Sequence, residues 1–563
     1  LEGLNGMKAT ASRSGGRILI DQLQIHGVET VFCVPGESYL AALDALYDSP
    51  IAVTVCRQEG GAAMMADAVG KLTGKPGVCF VTRGPGATNA APAIHIARQD
   101  STPLVLFVGQ VGRGMREREA FQELDYRAVF GTMAKWVVEI EDPVRIPELV
   151  ARAFTVAASG RPGPVVVALP EDMLTETAEV ADALPYRVAE SAPREEDIAA
   201  VAAAIAEAER PLAILGGTRW DAEAVGRFEA IAAKQGLPVA VSFRRQMLFN
   251  ANHPHFVGDL GLGPNPALIA YAKSADLVLL LGGRLSEIAS QSYTLLGIPD
   301  PGTRLIHVHP DPEEIGKVYS AEIGIAASPR SFVAALAERM ERGVDRAAVI
   351  GPLRESFEAW TTPRPRPTKG VDMGQVMTFL REALPPETVL TNGAGNYATW
   401  LHRFYRFTRY GTQAAPTSGS MGYGVPAAVG AARLDPKRPV VAFAGDGCFL
   451  MNGQEFATAV QYALPIMVIV VDNSMFGTIR MHQERHYPGR VVGTGLNNPD
   501  FAAYARAFGG HGERVERTED FGPAFERAGA SGKPAILHVI VDPEALTIND
   551  TLSGIREKAL AGK

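Results

Sequence analysis

Two oxygen donors stand at the ends of consecutive apolar runs late in the chain. The run VVAFA closes on Gly445-Asp446-Gly447 and, after the stretch FLMNGQEFATAVQYAL, the run IMVIVV closes on Asp472-Asn473. As neighbouring strands of an open α/β sheet, these runs would bring Asp446 and Asn473 together at their carboxyl ends, where such sheets bind ligands. A carboxylate and an amide oxygen are hard donors suited to magnesium, which completes its shell with water and phosphate oxygens. Glycines beside Asp446 let backbone amides at the next helix start approach a phosphate. The tripeptide alone also describes a strand-to-helix turn with a capping aspartate, and its pairing with Asn473 points to the metal.

Other candidates are weaker by residue type alone. Glu59 lies where VTVC meets the alanine-rich, amphipathic stretch GGAAMMADAVGKLTG, and a glutamate in a first helical turn is by position a partner of the helix dipole. His482, His486 and Arg480 in FGTIRMHQERHYPGR offer an acid/base or anion-binding group, or a solvated loop. His95 sits singly in an apolar run and reads as a core histidine. Cys33, Cys56, Cys79 and Cys448 lie far apart in strand-like stretches, without disulfide or metal spacing, and read as reduced core residues.

The elements that must position these groups recur as short apolar runs separated by helical stretches. They are Val53–Cys56, Gly77–Val81, Leu104–Val108, Val165–Leu169, Leu277–Leu281, Val440–Ala444, Ile466–Val471 and Ile536–Val541. Such uninterrupted Val/Ile/Leu runs suit parallel strands buried on both faces, so the expected class is α/β. A chain of 563 residues implies about three domains. The polar stretch Pro185–Asp197 and the proline-rich TTPRPRPTKG of 361–370 divide it into 8–185, 190–355 and 368–548, each expected as a doubly wound, mainly parallel sheet. The first and third domains could share one topology.

Composition excludes several classes. With 47% hydrophobic residues, 21% charged residues and 58 glycines, the chain is globular and rich in tight turns. The net charge of −8, without a Lys/Arg-rich block, offers no footprint for nucleic acid or an anionic membrane. No apolar run is long enough to span a bilayer and no leader follows Met7, so the expectation is a cytoplasmic protein without a membrane partner. Residues Leu1–Gly6 read as an expression scar ahead of a native start at Met7.

The paired elements GDG and Asp-Asn resemble the signature of thiamine-diphosphate enzymes, and the resemblance covers nearly the whole chain. It implies a pyrimidine-binding first domain, a Rossmann-like central domain and a diphosphate-binding third domain. It implies magnesium held by Asp446, Asn473 and the backbone carbonyl of Met475, with Gly395, Asn396, Gly445, Gly447 and Cys448 approaching the diphosphate. RQEGGAA matches the family's glutamate motif, which makes Glu59 the carboxyl that shares a proton with the far ring nitrogen of the aminopyrimidine. That role needs a raised pKa, which burial would supply. TSGSMGYGVPAAVGA carries over Met421 as the apolar wedge that bends the cofactor and Gly419 as the carbonyl that holds its 4′-amino group. The family encloses each cofactor between subunits, so a homodimer or homotetramer is expected.

Within that family the chain is similar to acetolactate synthase catalytic subunits. VFCVPGESYL, VTRGPGATNA and AFQELD resemble their VFGYPGGA, SGPGATN and Phe-Gln-Glu elements. Gln122 is then a polar contact to the reacting carbonyl and Phe121 an apolar wall that favours loss of a carboxylate as carbon dioxide. Glu37 and Ser38 stand where the synthases have glycine and alanine, and His482 where they place an acceptor-selecting tryptophan, so a more polar or cationic substrate is expected. The segment that would hold flavin (FAD) reads GGRLSEIAS, without the acidic-acidic-basic cluster. The reading is a 2-oxo acid decarboxylase with carboligation. The alternatives are a 2-hydroxyacyl- or oxalyl-coenzyme A lyase and a flavin-dependent 2-oxo acid oxidase.

Overall fold

The computed structural model describes residues 11–340, 343–366 and 368–562, so the reading of Leu1–Gly6 and Met7 lies outside the described residues. Residues up to Ala189 form one compact unit, and those from Glu190 form a second that contains two of the three six-stranded sheets.

The first sheet contains β1 (Thr30–Cys33), β2 (Ala52–Val55), β3 (Gly77–Val81), β4 (Leu104–Gln110), β5 (Trp136–Glu139) and β6 (Pro164–Pro170). Its order is β2-β1-β3-β4-β6-β5, with every pairing parallel. The second contains β7 (Pro211–Leu215), β8 (Val239–Ser242), β9 (Phe256–Leu260), β10 (Leu277–Leu281), β11 (Arg304–His309) and β12 (Ile323–Ala326), in the order β9-β8-β7-β10-β11-β12. Counted from its own first strand this is 3-2-1-4-5-6, the Rossmann order. The third contains β13 (Val389–Asn392), β14 (Gln413–Ala414), β15 (Val440–Gly445), β16 (Met467–Asp472), β17 (His511–Val515) and β18 (Ala535–Ile540), in the order β14-β13-β15-β16-β18-β17. The first and third sheets therefore share one strand order, 2-1-3-4-6-5.

The apolar runs become strands because helices cover both sheet faces. Every residue of β4, β6, β10, β15 and β16 is buried. Among the helices, α1 (Glu59–Thr73) departs from the expected amphipathic form: Gly60 through Lys71 are all buried. Asp67 and Lys71 within it are buried too, because Lys71 pairs with Asp67 at 3.1 Å and with Asp100 of α2 (Gly84–Asp100). Small residues allow the close packing; a Cβ on Gly70 would stand 2.2 Å from the Pro103 carbonyl.

The central core draws on residues beyond 355, since helix Ala347–Trp360 carries Phe357 into it. In the third sheet's domain, α3 (Tyr397–Phe404) follows β13. The stretch expected as one helix after Asp446 is two, α4 (Asp446–Asn452) and α5 (Glu455–Gln461). Asn452 spends its side-chain amide on the Gly422 carbonyl at 3.1 Å, and Gly453 gives the chain room to turn against Phe449. Beyond β16 come α6 (Gly477–His486) and, near the end, α7 (Leu552–Ala561). Among the described residues no helix is long and apolar enough to cross a membrane.

Candidate active site

The order of the third sheet reverses between β13 and β15, and a parallel sheet opens a crevice at such a point. The turn Gly393–Asn396 leaves β13 and Gly445-Asp446 closes β15. A cavity of about 270 Å³ occupies this place. Gly395, Asn396, Gly419 and Met421 line it together with Gly445, Asp446, Gly447, Cys448, Asn473 and Met475. Every third-domain residue expected at the cofactor or its metal thus reaches one cavity.

The backbone there is glycine-rich for steric reasons. A Cβ on Gly447 would lie 2.5 Å from the Phe476 ring, and one on Gly445 2.9 Å from the Tyr397 ring. Gly419 has φ +69°, a region that favours glycine. Met421 is half-buried against the third core while lining the cavity, and Cys448 is more than core filling: its Sγ accepts the Gly422 N–H at 3.2 Å. The Asn396 side chain is engaged, its Nδ2 donating to the Leu546 carbonyl at 3.2 Å and its Oδ1 accepting from Thr478 at 2.9 Å.

Asp446 is buried, and a second buried carboxylate, Asp472, lies beside it. Asn498 Nδ2 donates to both, at 2.8 Å to Asp446 and 2.9 Å to Asp472. Burial, reinforced by the negative charge of Asp472, holds the Asp446 carboxyl above the ordinary range. Burial acts the same way on Asp472, but hydrogen bonds from His538 at 2.9 Å, the Ser474 N–H at 2.7 Å and Asn498 outweigh it and hold that carboxylate low. Negative charge concentrated at a cavity wall suits a divalent cation. Asn473 Oδ1 accepts the Met475 N–H at 3.2 Å and retains a lone pair. These donors fit magnesium, and the glycine-lined wall fits a diphosphate. Sequence reasoning missed Asp472, Asn498 and His538. Asp472 adjoins the signature asparagine and could have been found, whereas nothing local singles out the other two.

A second, larger cavity of about 680 Å³ meets the first along Ala394, Gly395, Asn396, Gly419 and Thr478. Central-domain residues Phe243, Arg244, Phe256 and Asp259 contribute to its wall. Arg244 donates to the carbonyls of Gly393, at 2.9 Å, and Pro416, tying the central domain to the turn after β13. His482 lines this second cavity and not the first. Of the segment GGRLSEIAS, the one acidic residue, Glu287, is exposed.

The first sheet gathers the first-domain candidates Glu37, Ser38, Glu59, Phe121 and Gln122 near its own carboxyl edge. Glu59 begins α1, is half-buried, and accepts from Asn89 Nδ2 at 3.0 Å. Gln122 has φ +65° and gives its carbonyl to the Gly84 N–H at 3.0 Å, while the Phe121 ring is exposed. Such backbone strain in a non-glycine residue gathers at functional loops. Glu37 pairs with Arg83 at 3.1 Å. Ser38, expected to meet a more polar substrate, is wholly buried, and its hydroxyl pairs with that of Thr82 at 3.0 Å.

Along the chain, two parallel sheets of one strand order, the later one with a glycine-lined crevice bearing Asp446 and Asn473, precede and follow a Rossmann-type sheet, and the chain belongs to the thiamine pyrophosphate enzyme family. Residues 13–129 match its N-terminal TPP binding domain, 198–336 its central domain and 393–539 its C-terminal TPP binding domain. The chain is 30% identical over 531 residues to the acetolactate synthase isozyme 2 large subunit of Escherichia coli (strain K12), covering 94% of this chain and 96% of that one. It is 33% identical over 557 residues to the acetolactate synthase large subunit of Parasynechococcus marenigrum (strain WH8102), covering 96% and 89%. It is 30% identical over 551 residues to the probable acetolactate synthase large subunit of Methanocaldococcus jannaschii, covering 94% and 93%.

Proposed function

We propose that the protein uses thiamine diphosphate and magnesium to decarboxylate a 2-oxo acid and to join the remaining fragment to a second carbonyl compound. The observation that carries this reading is the convergence of Asp446, Asn473, Met475, Gly395, Gly419 and Met421 on one cavity. When bound, the cofactor supplies the carbon nucleophile and the electron sink that such chemistry needs. Asp446, the Asn473 amide oxygen and the Met475 carbonyl hold the metal, and Asp472, Asn498 and His538 position Asp446. Gly395, Gly445, Gly447 and Cys448 admit the diphosphate to close backbone approach, and Asn396 braces that turn. Met421 supplies apolar bulk beside the Gly419 carbonyl. Glu59, steadied by Asn89, holds the proton shared with the pyrimidine, and Gln122 and Phe121 face the reacting group. The family resemblance pairs Glu59 of one subunit with the diphosphate residues of another, in a homodimer or homotetramer. The reading does not call on flavin, since GGRLSEIAS lacks the acidic-acidic-basic cluster of the flavin-holding segment.

The test is turnover on a panel of 2-oxo acids with thiamine diphosphate and magnesium, following carbon dioxide and identifying products, with Glu59→Gln as control. The variant should keep the fold and lose about 100-fold or more in kcat, the scale on which proton-transfer groups act. Carbon dioxide from no acid would sink the reading and direct the search to acyl-coenzyme A cleavage.

A further inference from the structure

The first sheet repeats the strand order of the third, so its order too reverses between its first and third strands, β1 and β3. Ligands of open α/β sheets bind at that reversal. Two loops leave the strands there and press together: a Cβ on Gly36 would lie 2.5 Å from the Thr82 side chain. The first loop carries Glu37, the second Arg83, and Arg83 is the residue that leads into α2. Arg83 is only 5% exposed, yet it bonds two carboxylates, Glu37 at 3.1 Å and Glu171 from the end of β6. Its Nε has no hydrogen-bond partner among the described residues. The Glu37 side chain, by contrast, is 67% exposed, with Arg83 pinning its Oε1. Glu59 belongs to the same edge, since its Oε1 would lie 3.3 Å from a Cβ on Gly86, in the first turn of α2.

Two carboxylates around one guanidinium carry a net charge of −1. Such a group repels the carboxylate of a 2-oxo acid and accepts hydrogen bonds from its opposite end. Burying Arg83 makes the arrangement rigid, because a desolvated guanidinium holds its partners in a fixed fork. We propose that Glu37, positioned by Arg83 and Glu171, determines specificity by selecting a 2-oxo acid whose far end carries a hydrogen-bond donor. The inference rests on the 2-oxo acid reading above and names the substrate class within it.

The experiment compares kcat/KM of the holoenzyme for 3-hydroxypyruvate and 2-oxobutanoate, which differ by a hydroxyl in place of a methyl at nearly equal size. The expected ratio favours the hydroxylated acid by about tenfold or more, the scale of a hydrogen bond to a charged group. Glu37→Ala should bring the ratio close to unity. Glu171→Gln, which loosens Arg83 without touching Glu37, should lower it mainly through KM for the hydroxylated acid. Arg83→Lys should retain part of the preference that Arg83→Met loses. If an Arg83 variant does not fold, judged by cofactor-induced change in Tm, the Glu37 and Glu171 variants carry the test. Equal kcat/KM for both acids in the parent enzyme, or a preference that survives Glu37→Ala, would overturn the assignment and leave decarboxylation standing. Carbon dioxide from neither acid nor any other in the panel would sink both readings.

Discussion

At the residue scale, the site depends on charges held at a cost. Asp446 and Asp472 lie together in a buried place, and a bound cation would relieve their repulsion. Asp446→Asn removes that repulsion together with a proposed metal donor. The variant free of cofactor should melt no lower than the parent, while its affinity for magnesium, followed by calorimetry with thiamine diphosphate present, falls ~100-fold, at least the upper end of what a supporting residue costs. Equal metal affinity in both proteins would remove Asp446 from the ligand set. Asp259, on the wall of the second cavity, behaves differently: burial pushes its carboxyl up to about 7, against hydrogen bonds from Gly261 and Gln246. Between its ordinary value near 4 and about 7 the folded chain holds this proton more tightly than the unfolded chain does. Stability from this group is therefore intact below pH 4 and declines as pH rises to 7. Asp259→Asn should flatten that slope and, by urea unfolding at pH 8, raise stability by about 2 kcal/mol. An unchanged slope would show that the carboxyl titrates at its ordinary value.

At the element scale, the cavity walls are fastened by side chains that join distant segments. Glu484 of α6 is wholly buried and accepts from Arg480 at 2.8 Å, from Arg556 of α7 at 2.6 Å and from the Gly489 N–H at 2.9 Å. Arg556 foremost, with Gly489 and Arg480, holds its carboxyl down at about 2 against burial. The fastening is therefore complete above the ordinary glutamate range and is lost as pH falls toward 2. Since α6 carries Thr478 and Met481 to the cavities, α7 braces the site from behind. Glu484→Gln should raise amide exchange across Leu552–Ala561 by about tenfold, which mass spectrometry would read, and leave β15 and β16 protected. Uniform exchange across both regions would mean global destabilisation instead. The helix expected after Asp446 ends at Asn452, whose buried side-chain amide donates to the Gly422 carbonyl, and helix resumes at Glu455. The amphipathic reading of α1 failed because an ion pair can be buried whole.

At the scale of the whole molecule, the family resemblance assigns Glu59 and Asp446 of one active site to different subunits. Mixed dimers decide this. Glu59→Gln and Asp446→Asn, each inactive alone, should recover roughly a quarter of parent activity when unfolded and refolded together, because half the dimers are mixed and each then holds one intact site. No recovery, with mixed dimers present by mass spectrometry, would put both residues of a site in one chain.

The residues themselves, read in order, determined the α/β class, the buried strands, and the glycine-flanked Asp446 with Asn473 at two strand ends. These are local matters: apolar runs of strand length have one stable use in a large globular chain, and a ligand at a strand end needs only its own neighbours to be recognised. The resemblance extended this to Glu59, Met421 and Gly419 through short motifs of the same local kind. Only the tertiary structure decided which strands lie side by side. That order brought Asn498 and His538 to Asp446 and Asp472, bore out the shared topology of the first and third domains, and set Arg83 between Glu37 and Glu171. Arg83 and Glu171 are 88 residues apart in the chain. Such pairings are fixed by crossover connections and by burial, which no short stretch of sequence encodes. The same holds for Ser38, which the chain presents as a free hydroxyl until packing places Thr82 against it.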